Sequence, residues 1–380
     1  LAFQFASPDF SDSFLSFCQA CSGVSPGLRA EVALVMLAAL GYVRFATGSW
    51  LRAALAAVFV YGMVVLAALF PGYLMAFFGH ATTDVFLFRE VASAFTVFST
   101  LVFLAVLAKQ TVFFKRLRLE RSLHYVGLTL LGAYLGRAAF AHPFPGVLMP
   151  LLALVFSVFL AFEAAVWLND AADAKADRFS ASRRAPLPSD ALPMVAALSF
   201  FSLLNGLAAG FGVLILVATA FALSVPYSLS PLRLSRHFVS AGLVIAVCSV
   251  FVFLAGYGVG WLEPETLFAS LPAKALAAVF SLVFLASCIK DVKDRKTDQK
   301  LGRFTLPVWL GDARARKGIA AMVFFATLAS AHFFSFPILA AAVFGGLASA
   351  CVLLVQSARR MELCVFGFEF LYLLAVAIVS

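Results

Sequence analysis

The chain has 380 residues, of which 63% are hydrophobic and only 12% charged, against about 25% charged residues in an ordinary soluble domain. That balance excludes a large soluble core and points to a chain of apolar runs of about 20 residues, each long enough to cross a bilayer. The net charge of +9 does not indicate nucleic acid, because the basic residues lie in short loops between apolar runs and form no arm or stripe, as expected of loops that face anionic lipid.

In chain order, residues 1–30 are mixed and polar and read as a tail. No basic n-region is present at Leu1, so no cleavable signal peptide is expected. Cys18 and Cys21 form a C-x-x-C with no second pair to complete a zinc site. Membrane spans are expected near 32–48 (interrupted by Arg44), 53–72, 88–108, 122–140, 147–168, 191–209, 212–226, 238–259, 272–289, 317–334, 338–355 and 363–380. The basic segment 109–121, K-Q-T-V-F-F-K-R-L-R-L-E-R, marks a seam. The expected organisation is a tail (1–30), three additional membrane helices (31–114) and a nine-span bundle (115–380). The predicted fold class is therefore all-α, a polytopic membrane helix bundle with a nine-helix core and three extra N-terminal spans.

Orientation follows from counting charges. With the loop 169–190 in the cytoplasm and alternation from there, 24 of the 28 Lys and Arg residues fall on the cytoplasmic side, leaving Arg29, Arg89, Arg137 and Lys274 outside. A wrong span count would scramble that asymmetry. The expectation is a multi-pass cell-membrane protein with both termini outside.

Two acidic motifs carry the chemistry. N-D-A-A-D-A-K-A-D (169–177) follows one span, and K-D-V-K-D-R-K-T-D (290–298) follows another. Asp170, Asp173 and Asp177 have the same three-then-four spacing as Asp291, Asp294 and Asp298. Continued helices would put each set, with Asn169 beside the first, on one face. Four spans separate the motifs, so both emerge on the same side, as two halves of a parallel repeat serving one site. A lone charged loop is usually only solvated, but two matched copies on one side argue for function. Clustered carboxylates repel unless they are protonated or bind cations. Their all-oxygen character suits Mg2+, which is typically held by a few carboxylates and substrate phosphates. No His or Cys cluster near either motif points to zinc. Arg183, Arg184, Lys290 and Lys293 flank the motifs and are suited to diphosphate oxygens. A diphosphate site at the end of apolar helices suits a molecule with a charged head and a long apolar tail.

Three stretches then resemble a known family. N-D-x-x-D-x-x-x-D followed by R-R-A-P-L-P-S, then Y-S-L-S-P-L-R-L-S-R (227–236), then K-D-x-x-D-x-x-x-D-x-x-x-G-R-F-T-L-P-V-W-L-G (290–311) are similar to the UbiA-type intramembrane prenyltransferases, over roughly residues 115–380. The resemblance implies a nine-helix bundle that transfers a prenyl group from a polyprenyl diphosphate to an aromatic or other lipophilic acceptor within the membrane, with Mg2+. It implies that Asn169, Asp173 and Asp177, with Asp170, hold one ion, and Asp294 and Asp298, with Asp291, the other. The catalytic aspartates are then Asp173, Asp177, Asp294 and Asp298. Arg183, Arg184 and Lys290 would contact diphosphate, and Tyr227, Ser228 and Arg233 would line the same polar end. The chain departs from the family pattern at Ala185, which separates Arg184 from Pro186, at Asp190 where Gly is common, and at Thr297 where Gly is usual. The three N-terminal spans lie outside the family core.

The competing reading is a transporter, or a non-catalytic scaffold on the same bundle. A transporter requires ionisable residues within spans, and the candidates are Glu163, Glu369 and His332. Glu163, one and a half turns before Asn169, is expected to point toward the same cavity.

Overall fold

The structure is a computed structural model. It describes residues 36–37, 40–41, 43–44, 48–58, 61, 85–108, 117–140, 148–177, 191–229, 231–259, 272–292, 295–300 and 302–379; side chains at 85–88, 108, 120, 138–140, 174–177, 290, 297, 358–359 and 377 are outside that description. From residue 85 onward twelve α-helices are ordered along the described chain: α1 (Val85–Ala108), α2 (Leu119–Phe140), α3 (Leu148–Asp177), α4 (Ala191–Ala209), α5 (Phe211–Ser228), α6 (Phe238–Tyr257), α7 (Ala273–Ala286), α8 (Arg295–Lys300), α9 (Leu306–Leu310), α10 (Asp312–Phe334), α11 (Ile338–Leu354) and α12 (Ala358–Val379). Two 3-10 turns, Leu234–Arg236 and Ser287–Val292, lie among them. Among the described residues there is no strand, only an isolated parallel β-bridge between His237 and Phe304. The all-α class is therefore correct, and from residue 119 onward the long described helices number nine, α2–α7 and α10–α12. Six described helices are long and apolar enough to cross a membrane, within Arg89–Leu107, Leu148–Asp173, Ala191–Ala209, Phe211–Ser228, Phe238–Tyr257 and Asp312–Phe334.

The chain divides into two units, 1–96 and 97–380. In the first, residues 50–58 are helical, with Ser49 as the N-cap: its Oγ accepts the Arg52 backbone N–H at 3.4 Å. Arg44 stacks over Trp50, 5.0 Å from the ring centre. Most of the two spans expected over 32–48 and 53–72 lies outside the described residues.

In the second unit the long helices form a closed ring. α2 packs against α3 and α12, the last helix. α3 also packs on α4 and α5, α6 on α5 and α7, α7 on α10, α10 on α11, and α11 on α12. In lipid, apolar burial gives little net drive between helices, so close backbone approach and buried hydrogen bonds hold them. Both are present. Ser157 donates to the Ser202 carbonyl at 2.7 Å and Ser202 returns a bond to the Ser157 carbonyl at 2.8 Å, clasping α3 to α4. Asn205 on α4 donates to Thr100 in the second half of α1 at 2.6 Å.

The closest approach is between α2 and α6. Gly132 and Gly136, a G-x-x-x-G, face the Phe253 and Tyr257 carbonyls, and Gly256 faces the Thr129 carbonyl; a Cβ on any of the three would overlap backbone. α2 and α6 are counterparts in the expected repeat, since each immediately precedes a helix that leads to an acidic motif. Their contact lets the two motif helices, α3 and α7, be carried on one frame. Overpacking of this kind costs about 1–3 kcal/mol, so Gly256→Ala should lower the thermal unfolding temperature of detergent-solubilised protein. Gly346→Ala, where a Cβ meets nothing within 4 Å, should not. Equal unfolding temperatures for the two variants would contradict the assigned contact.

Candidate active site

The helix that carries the first motif does not stop at the end of its apolar run; α3 continues to Asp177. Asn169 and Asp170 therefore sit side by side, one turn before Asp173, with both aspartates buried. The second motif differs from the expected single helical face. α7 tightens into the 3-10 turn Ser287–Val292, which carries Asp291, and Asp298 lies on the separate short helix α8. The Ser287 hydroxyl donates back to the Phe284 carbonyl at 2.7 Å, the kind of local bond that competes with α-helical pairing. Asp291 and Asp298 are nonetheless buried.

Arginines join these carboxylates. Arg303 pairs with Asp173 at 3.0 Å and with Asp298 at 3.5 Å, so one guanidinium bridges the two motifs. Arg233 forms a second ion pair with Asp173. Arg118 pairs with Asp170 at 2.7 Å. The local folding of each arginine explains its position. Gly302, at φ 64°, ends α8 in a Schellman turn: the Arg303 N–H bonds the Asp298 carbonyl at 2.9 Å and the Gly302 N–H bonds the Gln299 carbonyl at 3.4 Å. Arg303 thereby turns back over Asp298. Arg233 itself has φ 38°, a left-handed conformation that a non-glycine residue holds only where its surroundings over-determine it. Those surroundings include the ion pair to Asp173. The two arginine loops are stitched together: the Phe304 N–H bonds the Arg236 carbonyl at 2.8 Å and the Phe238 N–H bonds the Phe304 carbonyl at 3.0 Å. All three motifs of the sequence thus meet at Asp173.

Beside this junction a cavity of about 210 Å³ runs into the bundle, bounded by α2, α3, α5, α6, α7 and α12. Its polar end carries Arg118, Arg121, Asn169, Tyr227, Ser228 and Glu362, and its depth is mostly apolar, with Val158, Phe162, Phe221, Ile245 and Val252. Ser228 donates to Asn169 at 3.4 Å. Arg121 pairs with Glu362 at 2.7 Å, tying α2 to α12.

A model of the UbiA prenyltransferase family matches residues 126–374. The chain belongs to the UbiA prenyltransferase family. It is a membrane-embedded enzyme of prenyl transfer, and solved structures agree on the fold. A UbiA homologue from Archaeoglobus fulgidus, solved with GPP and Mg2+, is 18% identical with a TM-score of 0.55, over 71% of this chain and 99% of that one. The same organism's homologue with DMAPP and Mg2+ gives 19% identity and a TM-score of 0.54, over 71% and 100%. A structure described as digeranylgeranylglyceryl phosphate synthase gives 19% and 0.50, over 72% and 100%. No curated protein matches this chain.

Of the residues singled out from the sequence, Asn169, Asp170, Asp173, Asp291, Asp298, Tyr227, Ser228 and Arg233 are described, and Asp173, Asp298 and Arg233 meet at one node. Arg183, Arg184 and Asp294 lie outside the described residues, as do the side chains of Asp177 and Lys290. Arg118 and Arg303 were missed, though Arg303 stands in the quoted G-R-F-T stretch, five residues after Asp298. Glu163 departs from its expected place. It does not line the cavity; it is fully buried and accepts from Ser122 and from the Arg118 backbone N–H, the latter at 3.2 Å, so it satisfies the first turn of α2. The residue most needed by a transporter is thus tied through Oε1 to a helix end. His332 is exposed.

Removing one partner of a buried ion pair costs about 3 kcal/mol at the lower end, which applies where the guanidinium is partly exposed. Arg233→Ala and Arg303→Ala, measured by unfolding without divalent metal, should each lose about that much. The double variant should lose more than the sum, since Asp173 is then left without either countercharge, and adding Asp173→Asn should recover part of the loss. Strict additivity would show that the two arginines do not share the carboxylate.

Proposed function

We propose that this enzyme transfers a prenyl group from a polyprenyl diphosphate to an aromatic or other lipophilic acceptor within the membrane, with Mg2+ at the two aspartate motifs. The observation that carries the reading is the Arg303 bridge between Asp173 and Asp298 beside an apolar cavity. A charged head fits the first and an isoprenoid tail the second. The A. fulgidus homologues solved with GPP or DMAPP and Mg2+ support it.

The residues fit the metal by their chemistry. The donors are hard oxygens only, and Asp173 concentrates enough negative charge to hold two guanidiniums. Among the described residues no three His, Cys, Asp or Glu side chains gather on one point; Asp177 and Asp294, one from each set, are outside the described side chains. Asn169, Asp170, Asp173 and Asp177 would hold one ion, and Asp291, Asp294 and Asp298 the other. When bound, the ions neutralise the charge that builds on the leaving diphosphate. The chain's own groups do the rest. Arg233 and Arg303, with Arg183, Arg184 and Lys290 next to the motifs, bind diphosphate oxygens as charge-assisted donors. Tyr227 and Ser228 fix the head at the cavity mouth. The C1–O bond of the prenyl diphosphate breaks with its electron pair going to diphosphate, and an acceptor pair closes on C1. Tyr125 and Phe162, with ring centres 5.0 Å apart, line the cavity and present aromatic faces to positive charge at C1. The apolar depth keeps water away from it.

Both motifs are required for one step. Asp173→Asn and Asp298→Asn should each cut turnover of labelled prenyl diphosphate about 1,000-fold or more, and the double variant should cost little beyond either one, because residues acting as a unit are non-additive. Chelation should abolish turnover and Mg2+ restore it. Near-normal turnover in Asp173→Asn, or full turnover in excess chelator, would remove the proposal.

We further place both motifs on the cytoplasmic face of the cell membrane, from the charge asymmetry of the loops. Single cysteines placed in 295–316 should resist an impermeant thiol reagent in intact cells while cysteines in 141–146 react. The opposite pattern inverts the topology.

A further inference from the structure

A second, small cavity shares His124 and Val283 with the large one and has a volume of about 10 Å³, the space one water needs at the least. Its wall is apolar except for His124 on α2 and Glu369 on α12. Among the described residues, His124 Nε2 and Glu369 Oε1 are both buried without a hydrogen-bond partner. Two such atoms in an apolar wall are each left with an unmet desolvation cost, which a single water bonded to both would remove. His124 also lines the large cavity, so with Val283 it borders both spaces. It stands 4.9 Å from the Phe366 ring and 5.6 Å from that of Tyr125. On the same two helices Arg121 pairs with Glu362 at 2.7 Å.

Prenylation of any O–H or C–H acceptor leaves one proton to dispose of, in a cavity built to exclude water. We infer that His124 takes that proton, and that Glu369, through one water in the small cavity, positions the imidazole. The inference rests on the prenyl-transfer reading. The balance is simple. An acceptor electron pair forms the bond to C1, the C1–O pair leaves with diphosphate, and the acceptor's surplus proton moves to the unprotonated nitrogen of the neutral imidazole. The other nitrogen donates through the water to the Glu369 carboxyl, which fixes the tautomer. No oxidant or reductant is involved. His124 is a catalytic residue in this scheme and Glu369 a positioning residue.

The test uses membranes holding the full chain, labelled geranyl diphosphate, Mg2+, and a lipid extract of the native membrane as acceptor source. Two products are counted: prenylated lipid, and the prenyl alcohol formed when water captures C1. His124→Ala should lower prenylated lipid about 100-fold, with diphosphate release falling far less and the difference recovered as alcohol. Added imidazole should restore transfer. His124→Gln, which fills the space, serves where the alanine variant does not fold; it should show the same partition without the response to imidazole. Glu369→Gln keeps an acceptor oxygen and should retain most transfer, whereas Glu369→Leu should shift product toward alcohol. Equal loss of diphosphate release and transfer, or an unchanged product ratio in the His124 variants, overturns the relay. If the unchanged protein releases no diphosphate from the probe, prenyl transfer itself fails and the relay with it. If it does, and the His124 variants match it, only the relay fails.

Discussion

The carboxylate of Asp173 is the point on which the rest of the site depends. It sits on a helix that runs past its apolar segment, and it draws in two guanidiniums from segments 60 and 130 residues away along the chain. Arg233 reaches it only by adopting a left-handed backbone, and Arg303 only because Gly302 turns the chain back on α8. An unpaired buried carboxylate would be costly, so the charge at 173 selects the conformations at 231–237 and 302–305. Charge specifies geometry here more than it stabilises the bundle.

That arrangement requires α3 and α7 to be held at a fixed separation, and the fixing element is the contact of α2 with α6. Gly132, Gly136 and Gly256 bring the two backbones together where side chains would hold them apart. The crossing places the backbone of α6 against α2 at one end, while nearer the charged end the helices diverge enough to leave the 210 Å³ cavity. Close packing and open space lie at opposite ends of this helix pair, with glycine at the contact and larger residues such as Phe162, Ile245 and Phe366 around the void.

The helices were legible in the sequence because apolar runs of this length admit few alternatives. The spans expected at 191–209, 238–259 and 338–355 differ from α4, α6 and α11 by two residues or fewer at any end. The ends that were missed are those where polarity and helicity part company. α3 continues nine residues beyond Leu168, and α10 begins at Asp312 rather than 317, because charged helix is stable outside the apolar layer. The acidic motifs were legible from equal spacing. The break in the second one was not, since a 3-10 turn at 287–292 depends on a serine back-bond that spacing does not encode. Arg303 and Arg118 were hidden by their company: each stands in a run of basic residues that topology alone accounts for, and only the distances to Asp173, Asp298 and Asp170 single them out.

Ionisable residues continue inward from the junction in a regular order. Along α2 and the residue before it, Arg118, Arg121 and His124 follow one another at intervals of three, close to one helical turn. Arg118 meets Asp170 and Arg121 meets Glu362, whereas His124 shares a small cavity with Glu369, two turns beyond Glu362 on α12. The first two rungs are ion pairs at the polar mouth of the cavity; the third, deeper, consists of groups that exchange protons instead of holding fixed opposite charges. Glu163 lies off this ladder, holding the first turn of α2 and so setting where the ladder begins. Fixed charge within a membrane is expensive. A bundle that must bind a diphosphate at its rim and dispose of a proton within is therefore constrained to place arginines outermost and a neutral imidazole inside, and the order of residues on α2 follows that constraint.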